Sequence, residues 1–374
     1  MKYKTLKSMK GWKGKRVLVR ADFNVPVDAN GKIKDTFRID ATLPTLEYLR
    51  KKGAKIVVVS HMGTDGKESL AVVRKYLNKK FKIDFSKEVI GASVIEKAAK
   101  MKNGDALLLE NVRREKGEMA NDKNFAKALA NLADVYVNEA FSVSHRKHAS
   151  LVGVPKFLPA LLGLQCEAEV SELSKAYEKV RHPFLFILGG AKFDTKLPLL
   201  KRFIVIADQV FVGGALAHNF FRIEGYEIGK SLIDEDVKGL EKIAKKPNLL
   251  LPVDLLVENK NSKREIGLDE VEKDDTIVDM GHTSLALLET YVKKAKMIVW
   301  NGPLGKGENI AATKALLKML ARSKAVRIVG GGDTVEVISR LKLIGKVGFV
   351  STGGGATIDF LADGSLPALE ILKK

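Results

Sequence analysis

The chain has one cysteine, Cys166, in 374 residues. A single thiol cannot close an internal disulfide, so nothing calls for an oxidising compartment. Cys166 sits between Gln165 and Glu167 with no histidine nearby in sequence, and is expected to be a structural thiol. Long apolar runs are also missing. None approaches the ~18 residues needed to cross a membrane. The apolar stretch Val17–Val19 is cut short by Arg20 and Asp22, so the N-terminus is expected to form a strand rather than a signal peptide. The expected location is the cytoplasm, with no membrane partner. There is no low-complexity segment and no close repeat. No G-x-G-x-x-G with an acidic residue about 20 positions later opens the first unit, which argues against a nicotinamide-dependent dehydrogenase. No basic stripe is interleaved with aromatics, and no nucleic-acid recognition motif is present.

What is present is length, charge and a regular alternation. At roughly 100–200 residues per domain the length predicts two domains, and 45% hydrophobic residues are enough for a core in each. The net charge is +19. Nucleic-acid binders carry such a charge, and so do enzymes for phosphorylated acids. The lysines are spread out, as at Lys51-Lys52, Lys245-Lys246 and Lys293-Lys294, which is the pattern of solvated helix faces. Short β-branched runs alternate with helical periodicity, predicting an α/β protein: two Rossmann-like domains with mainly parallel sheets flanked by helices. Predicted strands are Arg16–Val19, Lys55–Ser60, Ala106–Leu109 and Val135–Val137 in the first half. In the second they are Phe184–Leu188, Gln209–Val212, Met297–Trp300, Val326–Val329 and Gly348–Val350. Thr42–Lys52, Leu70–Asn78 and Lys123–Asn131 are predicted helices. Leu164–Val180, free of Gly and Pro, reads as a hinge helix ending at Pro183. The expected domains are 1–163 with a returning tail at about 358–374, and 181–357.

Ligands of open parallel sheets bind at the carboxyl ends of the strands. In the first half those ends are polar and basic: Arg20–Asn24, Ser60–Gly63, Glu110–Arg113, and Asn138 onward to His145–His148. In the second they are glycine-rich: Gly189–Lys192, Gly213–Ala215, Asn301–Pro303, Gly330–Thr334 and Gly353–Ala356. Converging Arg and His suit a small polyanion, which guanidinium forks bind bidentately. Glycines between strand and helix let backbone N–H groups approach a phosphate. One half thus suits an acidic phosphate ester and the other a nucleotide. Each feature also has a plain structural explanation. Glycine pairs after strands are common for packing alone, lone arginines are usually surface ion-pair partners, and His61, His145 and His148 could be hydrogen-bonded structural histidines. Gly225–Ser231 (GYEIGKS) is one residue short of a P-loop and reads as chance.

The blocks Arg16–Pro26 (RVLVRADFNVP), Arg38-Ile39, Ser60–Gly63, Leu108–Arg113 (LLENVR), Asn138–Ser150 (NEAFSVSHRKHAS), Gly189–Lys196 (GGAKFDTK), Val212–Ala215, Val299–Glu308 (VWNGPLGKGE), Gly330–Thr334 (GGGDT) and Ser351–Ala356 (STGGGA) run in the order found in phosphoglycerate kinases, and the chain resembles that family from about residue 5 to 372. The resemblance implies reversible phosphoryl transfer between 1,3-bisphosphoglycerate and ADP, giving 3-phosphoglycerate and ATP, with Mg²⁺, in a monomer. It implies that Asp22, Phe23, Asn24, Arg38, His61, Met62, Gly63, Thr64, Arg113 and Arg146 meet 3-phosphoglycerate, with Arg20 and His148 in support. Lys192, Lys196, Gly213, Asn301, Glu308, Gly331, Gly332, Asp333 and Thr334 are implied at the nucleotide, with Asp333 serving the metal. Arg38 and Lys192 are the implied catalytic residues.

Several positions depart from the family pattern. Thr64 stands where an arginine is usual, and the loop after it is short. Lys306-Gly307 replaces an apolar pair, Gly281-His282-Thr283 replaces Gly-Pro-Lys, and Glu139 replaces an aspartate. If another cation fills the space left at Thr64, Lys67 and Arg114 are the candidates, with Lys67 preferred for its flexible stem. No general base need be sought, because a carboxylate of pKa near ~4 is already ionised at neutral pH.

Overall fold

In the computed structural model, residues 3–235, 239–260 and 262–373 are described. The chain divides into two compact units, Met1–Ser171 with Ser365–Lys374, and Glu172–Gly364.

The first unit is built on six strands: β1 Arg16–Arg20, β2 Lys55–Val59, β3 Asp84–Phe85, β4 Ala106–Leu108, β5 Val135–Asn138 and β6 Ala160–Leu162. They lie in the order β3-β4-β2-β1-β5-β6 and are all parallel. Parallel sheets covered on both faces need continuous apolar runs rather than alternation. Accordingly Val17-Leu18-Val19 and Ile56–Val59 are wholly buried. From β1 the chain steps to β2 on one side and returns at β5 on the other. The order therefore reverses between β1 and β5, where a ligand crevice opens in such sheets. The helix expected from Thr42 begins at Phe37 and runs to Lys51. Asp35 Oδ1 accepts the Phe37 N–H at 2.8 Å, and the Thr36 hydroxyl donates to Asp40 Oδ2 at 2.8 Å. This local turn chemistry starts the helix early and leaves Pro44 inside it. Arg38 thus stands in the first helical turn rather than in a loop. The returning tail packs here too: Ala368 donates to Ser144 O at 3.0 Å and lies among Ala140, Leu151 and Val152.

The second unit carries β7 Phe184–Leu188, β8 Gln209–Val212, β9 Leu249–Leu250, β10 Asp254–Glu258, β11 Lys263–Gly267, β12 Thr276–Met280, β13 Met297–Asn301, β14 Val326–Gly330 and β15 Phe349–Val350. Six form a parallel sheet, β15-β14-β13-β7-β8-β9, whose order reverses between β7 and β13. The other three form an antiparallel sheet, β11-β10-β12, that the sequence reading did not anticipate. Helix Leu164–Glu178 crosses the division between the units. Cys166 is buried on it, and burial, followed by Glu139 and Glu169, pushes its thiol pKa up, as suits an inert thiol.

Candidate active site

In the first unit, the ends of β1, β2, β4 and β5 gather a polar cluster around Asp22. Asp22 is buried; Arg38 Nη1 lies 3.2 Å from its Oδ2 and His61 Nδ1 3.7 Å from its Oδ1. It also accepts from the Asn24 N–H at 2.9 Å and from the Ser142 hydroxyl. Burial alone would raise its pKa, but Arg38, His61 and these donors outweigh that and hold it below the ordinary carboxylate range. Arg38 Nη1 also donates to Asn24 O at 3.1 Å, and Asn24 Oδ1 accepts the Gly63 N–H at 3.0 Å. The β1 end, the β2 end and the first turn of helix Phe37–Lys51 are thereby tied together.

Arg20 is fully buried rather than presented at the rim. Its Nε donates to Ser150 Oγ at 2.7 Å, and Ser150 Oγ donates to the buried Glu118 at 2.6 Å. Its Nη2 lies 3.4 Å from His61 Nδ1. Desolvation, with Arg20, Arg113 and Arg38 around it, drives the His61 pKa down to about 3 against the pull of Asp22. His148 falls to about 4, mainly through burial. Both imidazoles are therefore neutral at pH 7, and the positive field comes from guanidinium groups. Arg113 donates to Gly63 O, while its buried Nε has no partner. Arg146 is exposed beside them. The Phe23 and Met62 side chains lie in the apolar core, leaving only their backbone for a ligand. Thr64 is exposed. Lys67 does not fill the space it leaves: Lys67 is 85% exposed and pairs with Asp65 at 2.8 Å. Arg114 holds the short loop instead, donating to Gly66 O at 3.2 Å and Lys67 O at 3.3 Å and pairing with Glu110 at 3.1 Å.

In the second unit, the loops after β7, β8, β13 and β14 pack directly on one another. The Gly189 N–H donates to Asn301 O at 2.9 Å and the Gly190 N–H to Pro303 O at 2.7 Å. A Cβ at Gly214, whose φ is +61°, would come within 2.8 Å of Gly190 N. The Lys196 ammonium is buried at this junction and donates to Gly189 O. Burial lowers its pKa to about 8, with Asp333 opposing. Two neighbours are unusual. Asn301, 1% exposed at the end of β13, has no hydrogen-bond partner for either side-chain atom. Thr334, buried in the first turn of helix Gly332–Arg340, has an unpartnered hydroxyl. Buried polar groups are almost always satisfied, so these two stand out. Lys192 is exposed at the N-cap of helix Phe193–Ile206, and Asp333 is exposed in the first turn after Gly331.

A cavity of about 210 Å³ opens beside these loops, lined at one end by Gly190, Gly214, Pro303 and Asp333 and elsewhere by Phe221, Leu232, Leu255 and Met280. Glu308 is exposed. Besides these apolar residues, two titratable lining residues escaped the sequence reading. His218, one turn into helix Ala215–Ile223, is 2.8 Å from Leu232 O through Nδ1. Asp279, at the end of β12, accepts the Met280 and Ala312 N–H groups at 3.0 and 3.1 Å, and burial raises its pKa. Asp279 lies in the antiparallel sheet, which carries no glycine fingerprint, and His218 lies a turn beyond Gly213-Gly214, past the residues that the glycine pattern singles out. Gly225–Ser231 opens no helix: Gly229 bridges to Thr276 and Lys230 pairs with Asp274.

The family model described as phosphoglycerate kinase matches residues 6–364. Phosphoglycerate kinase of Borrelia garinii subsp. bavariensis is 39% identical over 394 residues, covering 100% of both chains. That of Aquifex aeolicus is 41% identical over 379 residues, covering 96% of this chain and 95% of the relative. Among solved structures, phosphoglycerate kinase from Coxiella burnetii superposes with a TM-score of 0.86 at 35% identity, covering 99% of this chain and 98% of the other. The Pyrococcus horikoshii enzyme gives 0.88 at 30% identity with the same coverage. The chain belongs to the phosphoglycerate kinase family, a family of phosphotransferases.

Proposed function

We propose that this member of the family transfers a phosphoryl group between 1,3-bisphosphoglycerate and ADP, with the acid held by the first unit and the nucleotide by the second. The observation that carries the assignment is the junction at Lys196: a buried ammonium among glycine loops, with the unpartnered Asn301 at the end of β13 and the unpartnered Thr334 in the helix turn that follows the adjacent β14. An α-phosphate or β-phosphate would take up the Lys196 charge, and the N-terminus of helix Gly332–Arg340 offers N–H groups to the same ligand. Gly213 and Glu308 flank the nucleoside. The 3-phosphoglycerate phosphate and carboxylate fall to Arg38, Arg113 and Arg146, supported by the neutral His61 and the buried Arg20, and bounded by Asp22, Asn24 and the backbone of Phe23 and Met62 to Thr64.

In the synthesis of acyl phosphate the substrate carboxylate is already ionised and attacks the terminal phosphorus directly, so no side chain need take a proton. What remains is positioning and charge stabilisation of the group in transfer. Arg38 meets Asp22 and Asn24 through Nη1, which leaves its other guanidinium nitrogens for a ligand, and Lys192 stands exposed at a helix start. These two serve the charge on the moving phosphoryl group. Asp333 is one exposed carboxylate at the loop that would hold phosphates. That suits Mg²⁺, which is bound through one or two carboxylates plus phosphate oxygens rather than in a protein cage. When bound, Mg²⁺ would neutralise phosphate charge. The acid and the nucleotide are assigned to different units, the reaction needs the two ligands in contact, and the chain passes between the units along helix Leu164–Glu178 and again at Gly364-Ser365. A cytoplasmic monomer is the form this reading expects; no helix among the described residues is long and apolar enough to cross a membrane. The test is turnover of 3-phosphoglycerate with ATP and Mg²⁺, trapping the acyl phosphate with hydroxylamine. No product above a Lys192→Ala control sinks the proposal.

A further inference from the structure

A second concavity lies in the same unit, well away from the glycine loops. It is a groove of about 890 Å³ between helices His282–Lys294 and Ala311–Arg322. Its floor is formed by the residues that lead into three strands: Arg181 before β7, Ala295-Lys296 before β13, and Ser323–Ala325 before β14. These strands are parallel, so the groove is at the amino-terminal edge of the sheet and the glycine loops are at the carboxyl edge. Five residues at about 3.3 Å each put roughly 16 Å of strand between the two edges.

The lining is strongly one-signed. Of its 13 residues, six are cationic: Arg181, Lys293, Lys296, Lys318, Arg322 and Lys324. One, Glu289, is acidic, and it pairs with Lys293 at 2.8 Å. Glu178, three residues before Arg181, is not part of the lining, and Asp208, just before β8, is already engaged by His182 and by the Phe184 N–H, each at 2.6 Å. Ordinary helix chemistry explains part of this. Lys293 and Arg322 stand in the last turns of their helices, where cations offset the macrodipole. Arg181, Lys296, Lys318 and Lys324 have no such role. Six cations, less one carboxylate and two helix C-termini of roughly half a charge each, leave about four positive charges in one concavity. A low-dielectric concave wall focuses such a field.

We propose that this groove is an anion-binding site for a short linear polyphosphate, separate from the candidate nucleotide site. Charge selects the ligand class, since three linked phosphates carry about the charge that the groove leaves uncompensated. The lining argues against a nucleic-acid strand or a nucleoside. It contains no Phe, Tyr or Trp on which a base could stack.

The probe is inorganic tripolyphosphate, titrated calorimetrically into the full chain and three variants, with a coupled activity assay alongside. The expected result is one binding event that weakens at least tenfold in Lys296→Glu/Lys318→Glu and less in Lys296→Gln/Lys318→Gln. It should survive in Lys192→Ala/Lys196→Ala and weaken steeply with salt. Turnover by the two groove variants should match the parent. If the glutamate variant misfolds, the neutral glutamine variant and the salt dependence still decide. Equal affinity in parent and groove variants would place the event elsewhere and overturn the proposal, and loss of binding in Lys192→Ala/Lys196→Ala alone would overturn it by assigning the event to the nucleotide loops. A single-stranded RNA oligomer that displaces tripolyphosphate at lower phosphate concentration would overturn it in favour of nucleic acid.

Discussion

Asn301→Leu should make the nucleotide-free chain more stable and the nucleotide bind worse. Asn301 is 1% exposed, and neither its amide nitrogen nor its oxygen has a partner. An unsatisfied buried polar group costs about 1–3 kcal/mol. Leucine keeps the branching at Cγ and leaves nothing unpaired; its methyl groups are bulkier than the amide and take back part of the gain, so the substitution should stabilise the free chain by up to about 1–3 kcal/mol. In a unit of roughly 190 residues, each kcal/mol raises Tm by about 2–4 °C. Binding moves the other way. A hydrogen bond to a charged ligand is worth about 1.5–3 kcal/mol, and at about 1.4 kcal/mol per tenfold the Kd for ADP should rise roughly 10- to 100-fold. Thr334→Val, an isosteric loss of the neighbouring unpartnered hydroxyl, should show the same pair of signs at smaller amplitude. Differential scanning calorimetry with and without ADP, beside isothermal titration, measures both. A lowered Tm with unchanged ADP affinity would refute the reasoning, because it would mean that the amide serves the fold rather than the ligand.

Arg38→Ala and Lys192→Ala should each lower kcat by on the order of 3 kcal/mol, with a much smaller effect on the nucleotide KM; near-normal kcat removes that residue from the catalytic step. Arg114→Ala should raise KM for 3-phosphoglycerate several-fold without altering KM for ATP, because it frees the loop at Gly66 and Lys67. Lys67→Ala should change neither constant, since Lys67 is solvated and paired with Asp65. With its pKa near 8 rather than 10.5, Lys196 loses its charge in the free chain above pH 8, so the Kd for ADP should rise by up to tenfold per pH unit there and the trend should vanish in Lys196→Gln. Over the same interval only the folded chain has released that proton, so the stability contribution of Lys196 rises toward pH 10.5. His61 and His148 work at the other end: their folded pKa values, about 3 and about 4, lie below the unfolded 6.5. Between those limits the unfolded chain binds more protons, and denaturant melts should show stability falling as pH drops below 6.5. Asp22, held low by its partners, adds to the loss below its ordinary 3.8.

How much of this was legible in the sequence depended on whether a signal was local and repeated. The long buried strands announce themselves as unbroken β-branched runs, as at Ile56–Val59. The edge strands β3, β6 and β9 are two or three residues long and too short for any periodicity to register. The antiparallel sheet was missed because β10 begins and ends on a carboxylate, Asp254 and Glu258, and β11 opens on Lys263-Arg264-Glu265, charges that read as loop. Helix Phe37–Lys51 was started too late because Pro44 reads as a first-turn residue, whereas Asp35 and Thr36 begin the turn five residues sooner. Candidate site residues were found by motif. Their environments were not: Arg20 reads as a rim cation and lies buried on Ser150, and Lys67 reads as a spare cation and is solvated. Such facts follow from which elements the topology brings side by side, and no local pattern encodes them.

The glycine-rich loops show how the plain and the functional explanations divide within one motif. Gly214 and Gly331 have positive φ, and a Cβ at either would come within about 3 Å of a neighbouring loop's backbone. Gly213 would meet Leu304. Packing of loop on loop is sufficient reason for these. Gly332 differs. Its φ is helical, it opens helix Gly332–Arg340, and a Cβ there would meet nothing within 4 Å. Glycine loses more conformational freedom on folding than alanine, and neither packing nor backbone geometry calls for it here. What remains is clearance for a ligand drawn to the N–H groups of Gly332 and its neighbours, on the same first turn as Asp333 and the unpartnered hydroxyl of Thr334. Of Gly213, Gly214, Gly331 and Gly332, only Gly332 lacks a reason in packing or φ, and this supports the proposed phosphate site at that turn.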